Sequence, residues 1–157
     1  MNIVDHLYLG SAAHAGQLEL LERLGITALL NVSPNCPNHW PDKFEYSTIP
    51  VEDNSTADIK VHFGAAIDFI NGVKSRGGKV LVHCKAGVSR SATLCLAYLI
   101  SCRKMCLNDA YDQVKVPCIH PGVNSCSKCR KIPAADLLQL LITNIQIEVC
   151  CITVFSA

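Results

Sequence analysis

Charge is the first thing this chain has little of. Asp, Glu, Lys and Arg make up 17% of its 157 residues, against roughly 25% in an ordinary soluble domain. A disordered chain needs high charge and low hydrophobicity, and half of this one is hydrophobic, so disorder as the overall state is excluded. The charges that exist nearly cancel, 14 basic against 13 acidic for a net +1. That removes the general positive field of a polyanion binder, and no nucleic-acid partner is expected. A secretory signal is also missing: Met1 to Gly10 has no basic-plus-apolar pattern. A reducing, intracellular address is therefore expected, nucleus and/or cytoplasm. No internal repeat and no interdomain linker interrupt a length that suits one domain.

Cysteine, by contrast, is plentiful. The ten are Cys36, Cys84, Cys95, Cys102, Cys106, Cys118, Cys126, Cys129, Cys150 and Cys151. In a reducing compartment they read as free thiols with one catalytic member.

Up to residue 115 the pattern alternates between strands and helices. Leu7-Tyr8-Leu9 is a short apolar strand closed by Gly10, and Ile26 to Val32 is a continuous apolar run of the kind buried on both faces. Between them Leu18, Leu20, Leu21 and Leu24 recur at helical spacing before Gly25, a helix stop. Asn35 to Asp42 reads as a proline-rich loop and Tyr46 to Val51 as a strand. Phe63, Ala66, Ile67, Ile70 and Val73 form a helical stripe ended by Gly77-Gly78. Lys79 to His83 is a strand, Ser91 to Arg103 an almost wholly apolar helix, and Asn108 to Val114 a last helix with Asn108 as its N-cap. Such alternation predicts an α/β domain with a central, mostly parallel sheet flanked by helices.

Residues 116–157 differ in character. Three cysteines, two prolines and the basic run Lys128-Cys129-Arg130-Lys131 come first, then an apolar stretch from Ala134 to Ile145 with helical character, then β-branched Ile147 to Phe155. The apolar length from Leu137 to Ala157 would span a bilayer, but Glu148 and several amides interrupt it, so no membrane partner is expected. Cys118, His120, Cys126 and Cys129 have only partial zinc spacing, and no metal is assigned to them.

The chemistry sits in His83-Cys84-Lys85-Ala86-Gly87-Val88-Ser89-Arg90-Ser91. The segment joins a buried strand to an apolar helix, whose N-terminus favours an anion through free N–H groups and the helix dipole. Gly87 lets the loop turn, and Lys85, Ala86, Gly87, Val88, Ser89 and Arg90 can direct their N–H groups at one oxyanion. The same field favours thiolate at Cys84 and depresses its pKa. Arg90 adds a planar fork suited to two phosphate oxygens. Together these residues describe a thiolate attacking phosphorus while the remaining oxygens stay bound.

At this segment the chain resembles the cysteine-dependent protein phosphatases, and the dual-specificity branch in particular. Leu7-Tyr8-Leu9-Gly10-Ser11, Gly25 to Val32, Cys36-Pro37-Asn38-His39, Ile49-Pro50-Val51-Glu52-Asp53-Asn54 and Ala97-Tyr98-Leu99 are similar to the catalytic domain of MAP-kinase phosphatases, nearest to their inducible nuclear subgroup. The likeness covers residues 3 to 115, so residues 1–115 are expected to be the catalytic domain and 116–157 a divergent tail, partly helical or disordered. It implies phosphorylated MAP kinases as partners and hydrolysis of phosphotyrosine and phosphoserine or phosphothreonine, without a cofactor or a metal. It also implies Asp53, 31 residues before Cys84, as general acid and then base. Ser91 is implied to stabilise the departing thiolate, with a helix cap as its plainer role. Ser89 braces the loop and His83 orients it through a hydrogen bond.

After Lys115 the likeness breaks off, as an alternative splice end or a mispredicted exon would make it do. The chain also starts almost at the first strand, which implies that the family's N-terminal kinase-docking domain is not part of it. Two other functions fit parts of the pattern: a catalytically impaired phosphoprotein-binding module that keeps Arg90, and a rhodanese-type sulfur transferase, which has no use for Asp53 and Ser91.

Overall fold

The computed structural model of the chain describes residues 1–52, 58–85 and 90–114. Five strands form one sheet: β1 (Asn2–Val4), β2 (Leu7–Ser11), β3 (Ala28–Asn31), β4 (Glu45–Thr48) and β5 (Val80–Cys84). Their order is β1-β2-β5-β3-β4, with β5 at the centre. β5 runs parallel to both β2 and β3, and β3 parallel to β4; only β1 is antiparallel, against β2. This is the mostly parallel α/β sheet that the alternation of strands and helices predicts.

The strand at the centre is buried throughout, which is why it reads as an unbroken Val-Leu-Val run rather than an alternating one. Its side chains still divide by face. Val80, Val82 and Cys84 join the larger core, against α3 (Phe63–Ser75), α4 (Arg90–Arg103) and α5 (Leu107–Val114). Leu81 joins a smaller cluster with Tyr8, Ala15, Leu21, Ile26 and Leu29, beneath the short α1 (Ala12–Ala15) and α2 (Leu18–Leu24). Trp40 packs at the edge of that cluster and donates its indole N–H to the Ala15 carbonyl, so it serves packing. Every residue of α4 from Arg90 to Ile100 is buried. A stretch enclosed on all sides has no polar face to keep, hence the almost wholly apolar sequence from Ala92 to Ile100.

Most predicted boundaries hold within a residue or two. α2 ends at Gly25, whose φ of 74° is the left-handed conformation a glycine cap supplies. β4 stops at Thr48 rather than Val51; Ile49 and Val51 are buried beyond the ladder. α5 starts at Leu107, and the Ala110 N–H already donates to the Cys106 carbonyl, so Asn108 lies in the first turn and is not the cap. β1, α1 and a 3-10 turn at Ile59–His62 have no counterpart in the sequence pattern. At three or four residues each, they are too short to show a period. Among the described residues no helix is long and apolar enough to cross a membrane, and no group of side chains is arranged to hold a metal ion. The helix and zinc-like spacing considered for the tail lie outside the described residues, as does the membrane-length stretch.

Candidate active site

Cys84 is the last residue of β5, and Arg90 and Ser91 are the first two of α4. The end of the central strand and the start of the buried helix therefore face each other across a short connection. Cys84 Sγ lies 3.2 Å from Ser91 Oγ, with both side chains buried. A hydroxyl at that distance can donate to a thiolate. Arg90, 7% exposed, donates from Nη1 to the Val51 carbonyl at 3.0 Å. Val51 lies just after β4, on the segment that leads to Asp53. The arginine thus fastens two chain segments 39 residues apart, the two that carry the predicted nucleophile and the predicted general acid.

His83 points to the opposite face of the sheet from Cys84, where Gly10 and Asn31 are its register partners. Burial pushes its pKa from 6.5 down to about 4, the adjacent Cys84 main chain opposing and His39 adding slightly, so the ring is neutral at physiological pH. Neither ring nitrogen has a side-chain hydrogen-bond partner among the described residues; the Cys84 main chain is the polar neighbour that favours its proton. What His83 does supply is main chain: its carbonyl accepts from the Val32 N–H at 2.7 Å. Lys85 is exposed, and its carbonyl accepts from the Ala12 N–H at 3.2 Å. Asp53, Ala86, Gly87, Val88 and Ser89 lie outside the described residues.

The remaining described cysteines separate from Cys84 by environment. Cys95, one turn beyond Ser91, is wholly enclosed; burial, with Cys84 nearby, drives its thiol far above the usual range and keeps it protonated. Cys36, Cys102 and Cys106 are partly exposed free thiols. Sequence reasoning did not find Val51 as the anchor of Arg90. A main-chain acceptor has no side-chain signature, and its only trace was the apolar Ile49-Pro50-Val51 run ahead of the acidic pair.

With strand end, hydroxyl partner and helix-borne arginine in place, the comparison with known proteins is direct. Residues 7–127 match the family model described as dual specificity phosphatase, catalytic domain. The chain belongs to that family. Among curated dual-specificity phosphatases it is 55% identical to human dual specificity protein phosphatase 1 over 115 residues, 73% of this chain and 31% of that one. Mouse dual specificity protein phosphatase 2 is 54% identical over the same share of this chain and 36% of its own. The chain thus spans about a third of the length of these curated relatives. Solved dual-specificity phosphatases share the fold. Human DUSP28 is 30% identical with a TM-score of 0.76, covering 89% of this chain and 92% of its own. A mouse putative dual specificity phosphatase complexed with zinc tungstate is 31% identical with a TM-score of 0.76, covering 89% and 82%.

Proposed function

We propose that this chain is a protein phosphatase that hydrolyses phosphotyrosine and phosphoserine or phosphothreonine through a cysteinyl-phosphate, and that MAP kinases, inactivated by it in the nucleus and/or cytoplasm, are its substrates. The observation that carries the reading is the 3.2 Å approach of Cys84 Sγ to Ser91 Oγ beside a buried Arg90 at the head of α4. Tungstate, present in the mouse relative's structure, has the tetrahedral oxyanion shape of phosphate, which supports an oxyanion site in this fold. The kinase assignment rests on the identity to dual specificity protein phosphatases 1 and 2 and on the resemblance to MAP-kinase phosphatases.

In the first step the Cys84 thiolate forms a bond to phosphorus and the phosphate ester P–O bond breaks. The departing oxygen takes a proton from the Asp53 carboxyl, because an alkoxide or phenoxide leaves poorly without one. Arg90 binds two of the phosphoryl oxygens while charge on them changes. In the second step water attacks phosphorus, Asp53 as carboxylate receives its proton, and the S–P bond breaks. Ser91 donates to the thiolate that departs, returning Cys84 to its starting state. Lys85, Ala86, Gly87, Val88 and Ser89 form the rest of the phosphate cradle.

The test is phosphate release from a bisphosphorylated activation-loop peptide. Wild type should release phosphate from both residues, Cys84→Ser should release none, and Asp53→Asn should be slowed most with alkyl phosphates. A wild-type chain that binds the peptide and releases no phosphate would leave a binding module, and the enzyme reading would fall.

A further inference from the structure

The geometry points to His14, a residue outside the phosphate-binding segment, as a positioning residue for that segment: it closes the first turn of α1 so that the Ala12 N–H is aimed at the Lys85 carbonyl. This inference rests on the phosphatase reading and adds a residue to its machinery.

β2 and β5 run side by side to their ends, with Ser11 paired to Cys84. Beyond that pair the ladder stops. One more bond follows, from the Ala12 N–H to the carbonyl of Lys85 at 3.2 Å. A peptide unit is planar, so holding that carbonyl holds the plane in which the chain leaves Lys85, the residue after Cys84. Ala12 can hold it only while the chain turns sharply at Ser11. That turn is where His14 acts. Its Nδ1 accepts from the Ser11 N–H at 3.0 Å and lies 3.0 Å from Ser11 Oγ. The histidine thereby takes the last N–H of β2, which has no strand partner left, in the manner of a capping box. Space for this is made by Gly10: a Cβ there would come within 3.3 Å of His14 Cβ and Nδ1. Gly10 in turn is the register partner of His83. A four-residue helix has little stability of its own, so its placement against Lys85 rests on this closure at its start together with the buried Ala15, held by Trp40, at its end.

The decisive variant is Ala12→Pro in the full chain. Proline removes the single N–H that reaches Lys85, yet it suits the first helical position, and Ser11 already has the extended conformation (φ −107°, ψ 173°) that a following proline requires. Ala12→Pro and His14→Ala should each lower kcat for a small aryl phosphate about ten- to a hundredfold, the scale expected for a slightly misplaced reacting group, with KM changed less. Both should move the pH midpoint for alkylation of Cys84, followed on the Cys84 peptide by mass, to higher pH, and weaken inhibition by orthovanadate. His14→Gln should restore all three, because a glutamine at this capping position offers an acceptor to the same N–H. A purely structural role would move the melting temperature and leave the thiol midpoint in place. Wild-type kcat, thiol midpoint and vanadate inhibition in both Ala12→Pro and His14→Ala would overturn the proposal; should His14→Ala not fold, Ala12→Pro decides alone. If wild type releases no phosphate, the phosphatase reading fails instead, and the alkylation midpoint still decides whether His14 and Ala12 set the environment of Cys84.

Discussion

Ser91 gives the most direct handle on the chemistry. Its Oγ is 3.2 Å from the Cys84 sulfur, and a hydrogen bond to a charged group is worth about 1.5–3 kcal/mol. Ser91→Ala should therefore slow steady-state phosphate release about tenfold or more. The first burst of leaving group should keep its rate, because in the proposed mechanism the hydroxyl assists departure of the thiolate and not its attack. Stopped-flow measurement resolves the two phases, and an unchanged steady state would remove Ser91 from the second step. Tyr98 offers a test of stability at the same level of detail. Its hydroxyl shares a 2.7 Å hydrogen bond with His6 Nε2 and donates at 3.4 Å to Asn71 Oδ1. His6 is 8% exposed, so Tyr98→Phe deprives a buried polar atom of its partner and should cost about 1–3 kcal/mol in urea unfolding. A loss well below that would mean that water replaces the hydroxyl.

Among helices, strands and the turns that join them, two glycines have opposite surroundings. Gly78 sits in the turn from α3 into β5. A Cβ there would run into Thr27 Oγ1 and come 2.7 Å from Val73 Cγ1, so Gly78→Ala should destabilise by about 1–3 kcal/mol. Gly64, in the first turn of α3, has nothing within 4 Å of its would-be Cβ. Gly64→Ala should leave contacts alone and gain about 0.5–1 kcal/mol from helix propensity and a less flexible unfolded chain. Chemical denaturation of the two variants side by side gives opposite signs if the turn after α3 is as tight as its geometry indicates. The sign matters for function, because that turn sets where β5 starts and Cys84 is where it ends.

The molecule as a whole should lose stability in mild acid. His83 has a folded pKa of about 4 against an ordinary 6.5, burial being the cause, and burial also lowers His6, with Lys74 and Arg103 adding. Since the folded values are depressed, the unfolded chain binds these protons first. The contribution is complete above about pH 6.5 and is lost as pH falls toward 4. For His83 the full loss is about 3 kcal/mol. Melting temperatures should fall from pH 7.5 to pH 5, and less steeply in His83→Gln; an equal slope in that variant would place the acid sensitivity elsewhere.

How much of this was readable before any coordinates depends on how each feature is built. Cys84, Arg90 and Ser91 stand within one short segment, and their residue types at that spacing point to the proposed chemistry, so a local pattern was enough to mark them as the candidate site that the structure brings together. The buried strands and helices were legible for a similar reason: a run such as Val80-Leu81-Val82 or the apolar α4 declares that it is enclosed on every side. Other features have no local signature. That β5 lies between β2 and β3, that Arg90 reaches the carbonyl of Val51, and that the Ala12 N–H meets Lys85 are all contacts across 39 residues or more of chain, made mostly by main-chain atoms. Every residue carries the same amide, so no choice of side chain announces such a bond; packing the sheet brings those groups together.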